Sequence, residues 1–194
     1  MNREEWFPTS IYYEDIKLDF NDLITKCYKL KDNQQSVNKS NQGGWQSEDI
    51  SKNDDFKDLI NKILELSKEP FNEFYPSMKG KYKISNIWIN INQENTFNLQ
   101  HIHPFTDLSG CLYLKTPKNS GDIWFEDPRF IQRMNEIGTY ATETRLTFHK
   151  IYYPPLPGRI LFFPNWLRHS VEINKSQEDR ISIAFNLKLE FEDK

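Results

Sequence analysis

The sequence is short of the residues that would place it outside the cell or in a membrane. It has only two cysteines, Cys27 and Cys111, in 194 residues, too few for a disulfide framework. One lies in a helix-like segment and the other in a strand-like one, so two buried thiols in a reducing cytoplasm are expected. No apolar run approaches a membrane span, and the opening "MNREEWFPTS" has no apolar signal core. Neither charge sign dominates. With 25 basic and 28 acidic residues the net charge is -3, so no basic surface argues for nucleic acid and no like-charge block for a solvated tail. Glycine numbers only seven and histidine only four. Internal repeats and low-complexity linkers are also missing.

Aromatic residues are plentiful, at 14% of the chain, which suits a packed β protein and argues against disorder. The length fits a single domain, 1–194, that can bury a core unaided. "FPTSIYYEDI" (7–16) reads as an opening strand. "DFNDLITKCYKLK" (19–31) sets Phe20, Leu23, Ile24, Cys27 and Leu30 on one helical face, with Asp19 or Asn21 as cap. Residues 32–53 are polar, contain Gly43-Gly44 and read as a loop. "DDFKDLINKILELSKEP" (54–70) predicts a helix with a Phe56, Leu59, Ile60, Ile63 stripe and Pro70 as its stop.

From residue 82 the period switches to two. In "YKISNIWININ" (82–92), Ile87, Ile89 and Ile91 share one face and Trp88, Asn90 and Asn92 the other. "LSGCLYLKT" sets Leu112 and Leu114 opposite Ser109, Cys111 and Tyr113. "GDIWFED", "GRILFFP", "RHSVEI" and "RISIAFNLKLEF" follow as further strands. A helical N-terminal part (1–80) and a strand-rich remainder (81–194) predict a mainly β, α+β chain: a sandwich or barrel decorated with helices. Its exposed sheet edges would suit pairing into a homodimer. Residues 127–157 form a long mixed insertion, the kind that carries function, and are expected to select the substrate.

Two of the four histidines fall in one triplet, within "NLQHIHPFTDLSG" (98–110). His101 and His103 are two apart, so on an extended chain they project from one face and can meet one metal ion. Alone, the triplet equally fits surface or core histidines. The C-terminal "WLRHSVEINKSQEDRISIAFN" adds weight. A hairpin turning between Ser176 and Gln177 would oppose Ile173 to Arg180, Val171 to Ser182 and His169 to Ala184, all on one face. Arg180 then stands about 13 Å along the ladder from His169. That span suits a small dicarboxylate between a metal at His169 and the Arg180 guanidinium, with Ser182 adding a hydrogen bond. Judged alone, Arg180 better suits a surface ion pair with Glu178 or Asp179.

The pieces "WININ", "NLQHIHPFTDLSGCLYLKTP", "SGDIWFEDPR", "PGRILFFPNWLRHSVEIN" and "RISIAFN", with "FPTSIYYEDI" and "GGWQS" before them, resemble the 2-oxoglutarate- and iron(II)-dependent oxygenases of the kind found in phages and marine bacteria. The resemblance spans nearly the whole chain. It implies a double-stranded β-helix (jelly-roll, cupin-like) core and a dioxygenase, a hydroxylase releasing succinate and CO2. Its implied partners are iron(II), 2-oxoglutarate, O2 and a further substrate, and its implied location is the cytoplasm, a host's if phage-encoded. His101 and His169 match the family's first and distal ligands, and Arg180 with Ser182 its cosubstrate clamp. Tyr113 is implied to reach the cosubstrate, and Asn90 faces the same way by parity.

His103 departs from the pattern, standing where the family has Asp or Glu. Either His103 is the ligand, or Asp107 supplies a carboxylate after the bend at Pro104; side-chain direction favours His103. Three histidines equally suit zinc that activates water, in a hydrolase or lyase. A silent jelly-roll binding or assembly module is the third reading. Arg180-x-Ser182 argues for the oxygenase, because hydration at zinc needs no dicarboxylate clamp. Near the site or its substrate stand Trp88, Asn92, Arg129, Trp166 and Asn186. Arg129 is expected mainly to anchor a loop, Trp166 to pack in the core near the metal, and His149 to lie at the surface.

Overall fold

The alternation after residue 80 becomes long antiparallel strands. In a computed structural model, which describes residues 1–2, 4, 6–76, 80–129, 144 and 148–191, the elements run β1 (Tyr12–Asp15), α1 (Asn21–Asn33), β2 (Asn41–Gln42), β3 (Trp45–Gln46), α2 (Lys57–Leu66), α3 (Lys68–Phe74), β4 (Gly80–Asn92), β5 (Phe97–His101), β6 (Leu108–Lys115), β7 (Ile123–Glu126), β8 (Lys150–Tyr153), β9 (Arg159–Pro164), β10 (His169–Val171) and β11 (Arg180–Phe191). They form two sheets, a large one ordered β1-β9-β6-β11-β4-β3 and a small one ordered β2-β5-β10-β7-β8. This is the double-stranded β-helix expected from the sequence, mainly β with its helices at the N-terminal end. Among the described residues, no helix is long and apolar enough to cross a membrane.

The large sheet is buried on both faces, and its strands divide their residues accordingly. Ile87, Ile89, Ile91, Ile181, Ile183, Leu187, Leu112 and Ile160 point to one side, where they pack in one cluster with Cys27, Phe56, Leu59 and Ile63 of the helical layer. Each such aliphatic side chain contributes about 1.5–3 kcal/mol on burial. The opposite face meets the small sheet through Cys111, Tyr113, Leu161 and Phe163, against Ile123, Phe125 and Leu167. Both cysteines are buried and free.

Three local expectations change. Pro70 does not end the helical layer. The chain breaks at Ser67 and restarts, and Pro70 sits in the first turn of α3, where a missing N–H costs little. The polar loop 32–53 contains two short strands, and Gly43-Gly44 is the step between the sheets. Gly43 has φ +73, and a Cβ on Gly44 would lie 2.7 Å from Asn92 Nδ2. The largest change concerns β10 and β11, which do not form a hairpin. β10 pairs with β5 and β7, whereas β11 pairs with β4 and β6. The predicted register is therefore wrong: residues 172–179 carry the chain from one sheet to the other. His169 and Arg180 meet across the sandwich, not along one ladder.

Candidate functional site

The three histidines converge because the small sheet brings two strand ends together. His101 closes β5, His169 opens β10, and the two are direct cross-strand partners. His103 lies two residues past β5, in a loop held on both sides by Asn165. The His103 N–H donates to Asn165 O at 2.9 Å, and Asn165 Nδ2 donates back to His103 O at 3.1 Å. Thr106 Oγ1 donates to the same carbonyl at 3.0 Å. One nitrogen from each of the three rings lies within 4.8 Å of the others.

Two of the rings are oriented by their own backbone. His101 Nδ1 donates to Leu99 O at 2.6 Å and His169 Nδ1 to Leu167 O at 2.9 Å. Each Nε2 is left with its lone pair for a metal, the usual reason for such a bond. His103 Nε2 lies 3.2 Å from His169 Nε2, close to the roughly 3 Å separating two nitrogens that share one ion at about 2.1 Å each. Burial lowers the pKa of His101. It also lowers that of His103, to about 3, with His101 repelling the charge further. His169, 3% exposed, is pushed well below its ordinary value by burial and then by the other two rings. All three therefore stay neutral, the form that binds metal.

Behind them runs a narrow inner chamber, about 50 Å³, lined by His101, His103 and His169 and also by Asn90, Tyr113, Arg180 and Ser182. The last four belong to the large sheet. Ser182 is the cross-strand partner of both Asn90 and Tyr113, and Arg180 of Asn92. Arg180 is 1% exposed. Its Nη1 donates to the carbonyls of Ser120, Gly121 and Glu172, while its Nε has no partner. Among the described residues it forms no ion pair, with Glu178, Asp179 or any other carboxylate. Glu178 pairs instead with Lys115, and Asp179 lies near Lys31. A buried, unpaired guanidinium is expensive unless an anion joins it. Asn90 Oδ1, also in the chamber, is a second buried polar atom without a partner. Three neutral imidazoles at one end and an unpaired cation at the other fit a metal chelated by an acid whose far carboxylate meets Arg180.

The remaining residues separate clearly. Trp88 lines both the inner chamber and an outer groove of about 680 Å³, and its ring is 5.8 Å from that of His103. Asn186, with Asn86, lines the outer groove. Asn92 is buried beside Arg180 with its Nδ2 unpartnered. Asp107 is not brought to the histidines. Its Oδ2 accepts from Leu189 N at 2.6 Å, and it lines a different pocket, with Tyr75, Tyr82 and Trp166. Trp166 therefore stands away from the histidine cluster, and at 48% exposure it is not core. Arg129 is exposed and doubly bonded to Asp127, a loop anchor lining neither cavity. His149 is exposed and outside the cluster. Most of 127–157, the segment expected to select substrate, lies outside the described residues. The sequence reading missed Asn165, whose position after Pro164 gave no periodic signal, and the outer groove, whose wall comes from residues 99–106.

Comparison with known proteins agrees with this geometry. No curated protein matches the sequence. The structure is similar to a Pseudomonas putida prolyl-4-hydroxylase (11% identity, TM-score 0.65, covering 93% of this chain and 92% of that one). It is also similar to the non-heme α-ketoglutarate-dependent epimerase SnoN of nogalamycin biosynthesis (12%, 0.68, 95% and 82%). A third likeness is the viral collagen prolyl hydroxylase of Paramecium Bursaria Chlorella virus-1 (17%, 0.55, 91% and 96%). At such identities these establish the fold alone. The family model described as "Putative 2OG-Fe(II) oxygenase" matches residues 86–186, which hold all three clustered histidines, Arg180 and Ser182. The chain belongs to this 2OG-Fe(II) oxygenase family, oxidoreductases that take iron(II) as cofactor and 2-oxoglutarate as cosubstrate.

Proposed function

We propose that this chain is a hydroxylase in which His101, His103 and His169 hold iron(II) and the inner chamber holds 2-oxoglutarate. The observation that carries this reading is the pairing of a three-imidazole cluster with a buried, unpaired Arg180 in one chamber. Arg180 receives the distal carboxylate through its free N–H groups, and three backbone carbonyls on Nη1 fix the direction of the fork. Ser182 and Tyr113 supply hydroxyls beside that carboxylate and Asn90 an amide. The Tyr113 hydroxyl, its pKa raised well above the ordinary value by burial, stays protonated and able to donate. When bound, iron(II) with 2-oxoglutarate and O2 supplies the oxidising power that converts a substrate C–H to C–OH, with release of succinate and CO2.

The protein's own residues bind, orient and exclude water. Phe125 and Phe163 pack against the His169 ring, at 5.9 and 4.7 Å between centroids, and Phe163 also lines the chamber. The further substrate enters by the outer groove, which reaches His101 and His103 from the opposite side. We read residues 1–194 as one domain, with 1–80 as the helical part, 81–194 as the core and 127–157 as its insertion. The two free buried thiols suit a reducing cytoplasm. No observation favours a zinc hydrolase or a silent module, neither of which has a use for a buried guanidinium facing three imidazoles.

The test is calorimetric titration of 2-oxoglutarate into the Mn(II)-loaded protein, with manganese replacing iron to prevent turnover. Metal-dependent binding is expected. Absence of binding by the folded protein would overturn the proposal.

A further inference from the structure

His103 occupies the place of an acid, and an imidazole needs what a carboxylate does not: a partner that fixes which ring nitrogen carries the proton. His101 and His169 use backbone carbonyls for this. The Nδ1 of His103 faces a side chain instead, with Asn186 Nδ2 3.5 Å away. Asn186 is buried at 5% exposure, and Ser109 beside it at 1%. Ser109 Oγ donates to Asn186 Oδ1 at 2.7 Å, and Asn186 Nδ2 donates to Asn86 Oδ1 at 3.0 Å. A bulge at Ser85 shifts the β4–β11 register immediately after the Asn86–Asn186 pair, a device that re-aims side chains beside functional sites.

We propose, building on the ligand set above, that Asn186 is the positioning residue for His103: its amide accepts the His103 Nδ1–H and so commits Nε2 to the metal. The two ends of an amide have the same shape, and a half-turn exchanges donor for acceptor. Two arrangements therefore fit these heavy atoms. In the first, Asn186 directs Nδ2 toward His103 Nδ1, and His103 Nε2–H donates to His169 Nε2 across 3.2 Å. In the second, Asn186 Oδ1 accepts from His103 Nδ1–H, and its Nδ2 donates to Ser109 Oγ. Asn86 turns likewise and donates to Asn186 Oδ1. Only the second leaves a lone pair on His103 Nε2, so metal binding selects it.

An asparagine serves both arrangements. An aspartate accepts in both directions and supports only the second, and a leucine supports neither. Asn86 also lines the outer groove. A substrate that hydrogen-bonds to Asn86 therefore acts, through Asn186, on the His103 ring. The metal site and the substrate groove share this amide pair.

The test compares Mn(II) affinity in the full-length parent, Asn186→Asp and Asn186→Leu, with thermal unfolding as the check on folding. Asn186→Asp is expected to bind Mn(II) about tenfold more tightly, because it fixes the productive ring state. Asn186→Leu is expected to bind 10–100-fold more weakly, the usual loss when a ligand's hydrogen-bond partner is removed. A residue that only packs would show weaker binding for both or a change in neither. An aspartate variant no tighter than the parent therefore overturns the assignment, even if the leucine variant fails to fold. Failure of the parent itself to bind Mn(II) would overturn the ligand set, and this inference with it.

Discussion

The two sheets face each other across one chamber, yet they build their halves of it differently. The large sheet holds Ser182, Tyr113 and Asn90 inside strands of eight to thirteen residues, where neighbouring ladders set each side chain's height and direction. Arg180, the first residue of β11, is aimed by its Nη1 bonds to the Ser120, Gly121 and Glu172 carbonyls. The small sheet holds its histidines at strand ends: His101 last in a five-residue strand, His169 first in a three-residue strand, and His103 beyond either. Short strands impose little by themselves, so the orientation comes from individual bonds to Leu99, Leu167 and Asn165. The comparison implies a division of labour. Changes on the small sheet should strike the metal first, and changes on the large sheet the cosubstrate.

The largest expected effect breaks the small-sheet half. His169→Ala removes the most buried of the three imidazoles and should lower Mn(II) affinity more than about 100-fold, beyond what loss of an outer partner costs. Metal-dependent 2-oxoglutarate binding should disappear with it, while the far-UV circular dichroism of the protein stays unchanged. Acid should probe the same half in chelator-treated protein. The folded pKa values of the three histidines lie below the unfolded value of about 6.5, that of His103 at about 3. The unfolded chain then binds protons that the folded chain refuses, so stability is complete above pH 6.5. It should fall progressively as the pH drops toward 3, by about 1.4 kcal/mol per pH unit for each refused proton. Urea unfolding across that range should show the fall, and His101→Gln should make it shallower. On the large sheet, Arg180→Lys keeps the charge but loses the two-pronged geometry. It should weaken 2-oxoglutarate binding about 30–100-fold, roughly 2–3 kcal/mol, and leave Mn(II) affinity alone. A metal defect of similar size would mean that the two halves are not separable.

The same contrast explains what could be read from the sequence. Ile87, Ile89 and Ile91 against Trp88, Asn90 and Asn92 form a pattern long enough to identify both a strand and its polar face, and the chamber uses that face. β5 and β8 were not assigned as strands because β5 falls in the segment read for its histidine spacing and β8 in 127–157, read as a mixed insertion. The β10–β11 register failed for another reason. Two strands joined by a short polar stretch look like a hairpin locally, and only the competition of β4 and β6 for β11 sends β10 to the other sheet. His169 and Arg180 still meet, because a jelly roll brings the inner faces of its two sheets together. The roles of Asn165 and Asn186 depend on loop closure and a bulge, neither of which has a period.

Asp107 gives the smallest expected effect and the sharpest test of where the halves divide. It lies four residues from His103 in sequence, but it serves the large sheet: its Oδ2 accepts from Leu189 N at 2.6 Å, and its own N–H donates to Leu187 O at 2.9 Å. The carboxylate thus ties the start of β6 to β11 where the regular pairing ends at Leu108 and Leu187. Asp107→Ala leaves a partly buried N–H without an acceptor and should cost about 1–2 kcal/mol of stability. Asp107→Asn retains an acceptor and should recover most of it. Neither variant should change Mn(II) affinity if the proposed shell of His101, His103 and His169 holds the metal. A loss of metal affinity in Asp107→Ala that Asp107→Asn failed to restore, at unchanged stability, would return the missing acid to Asp107 and remove His103 from the shell.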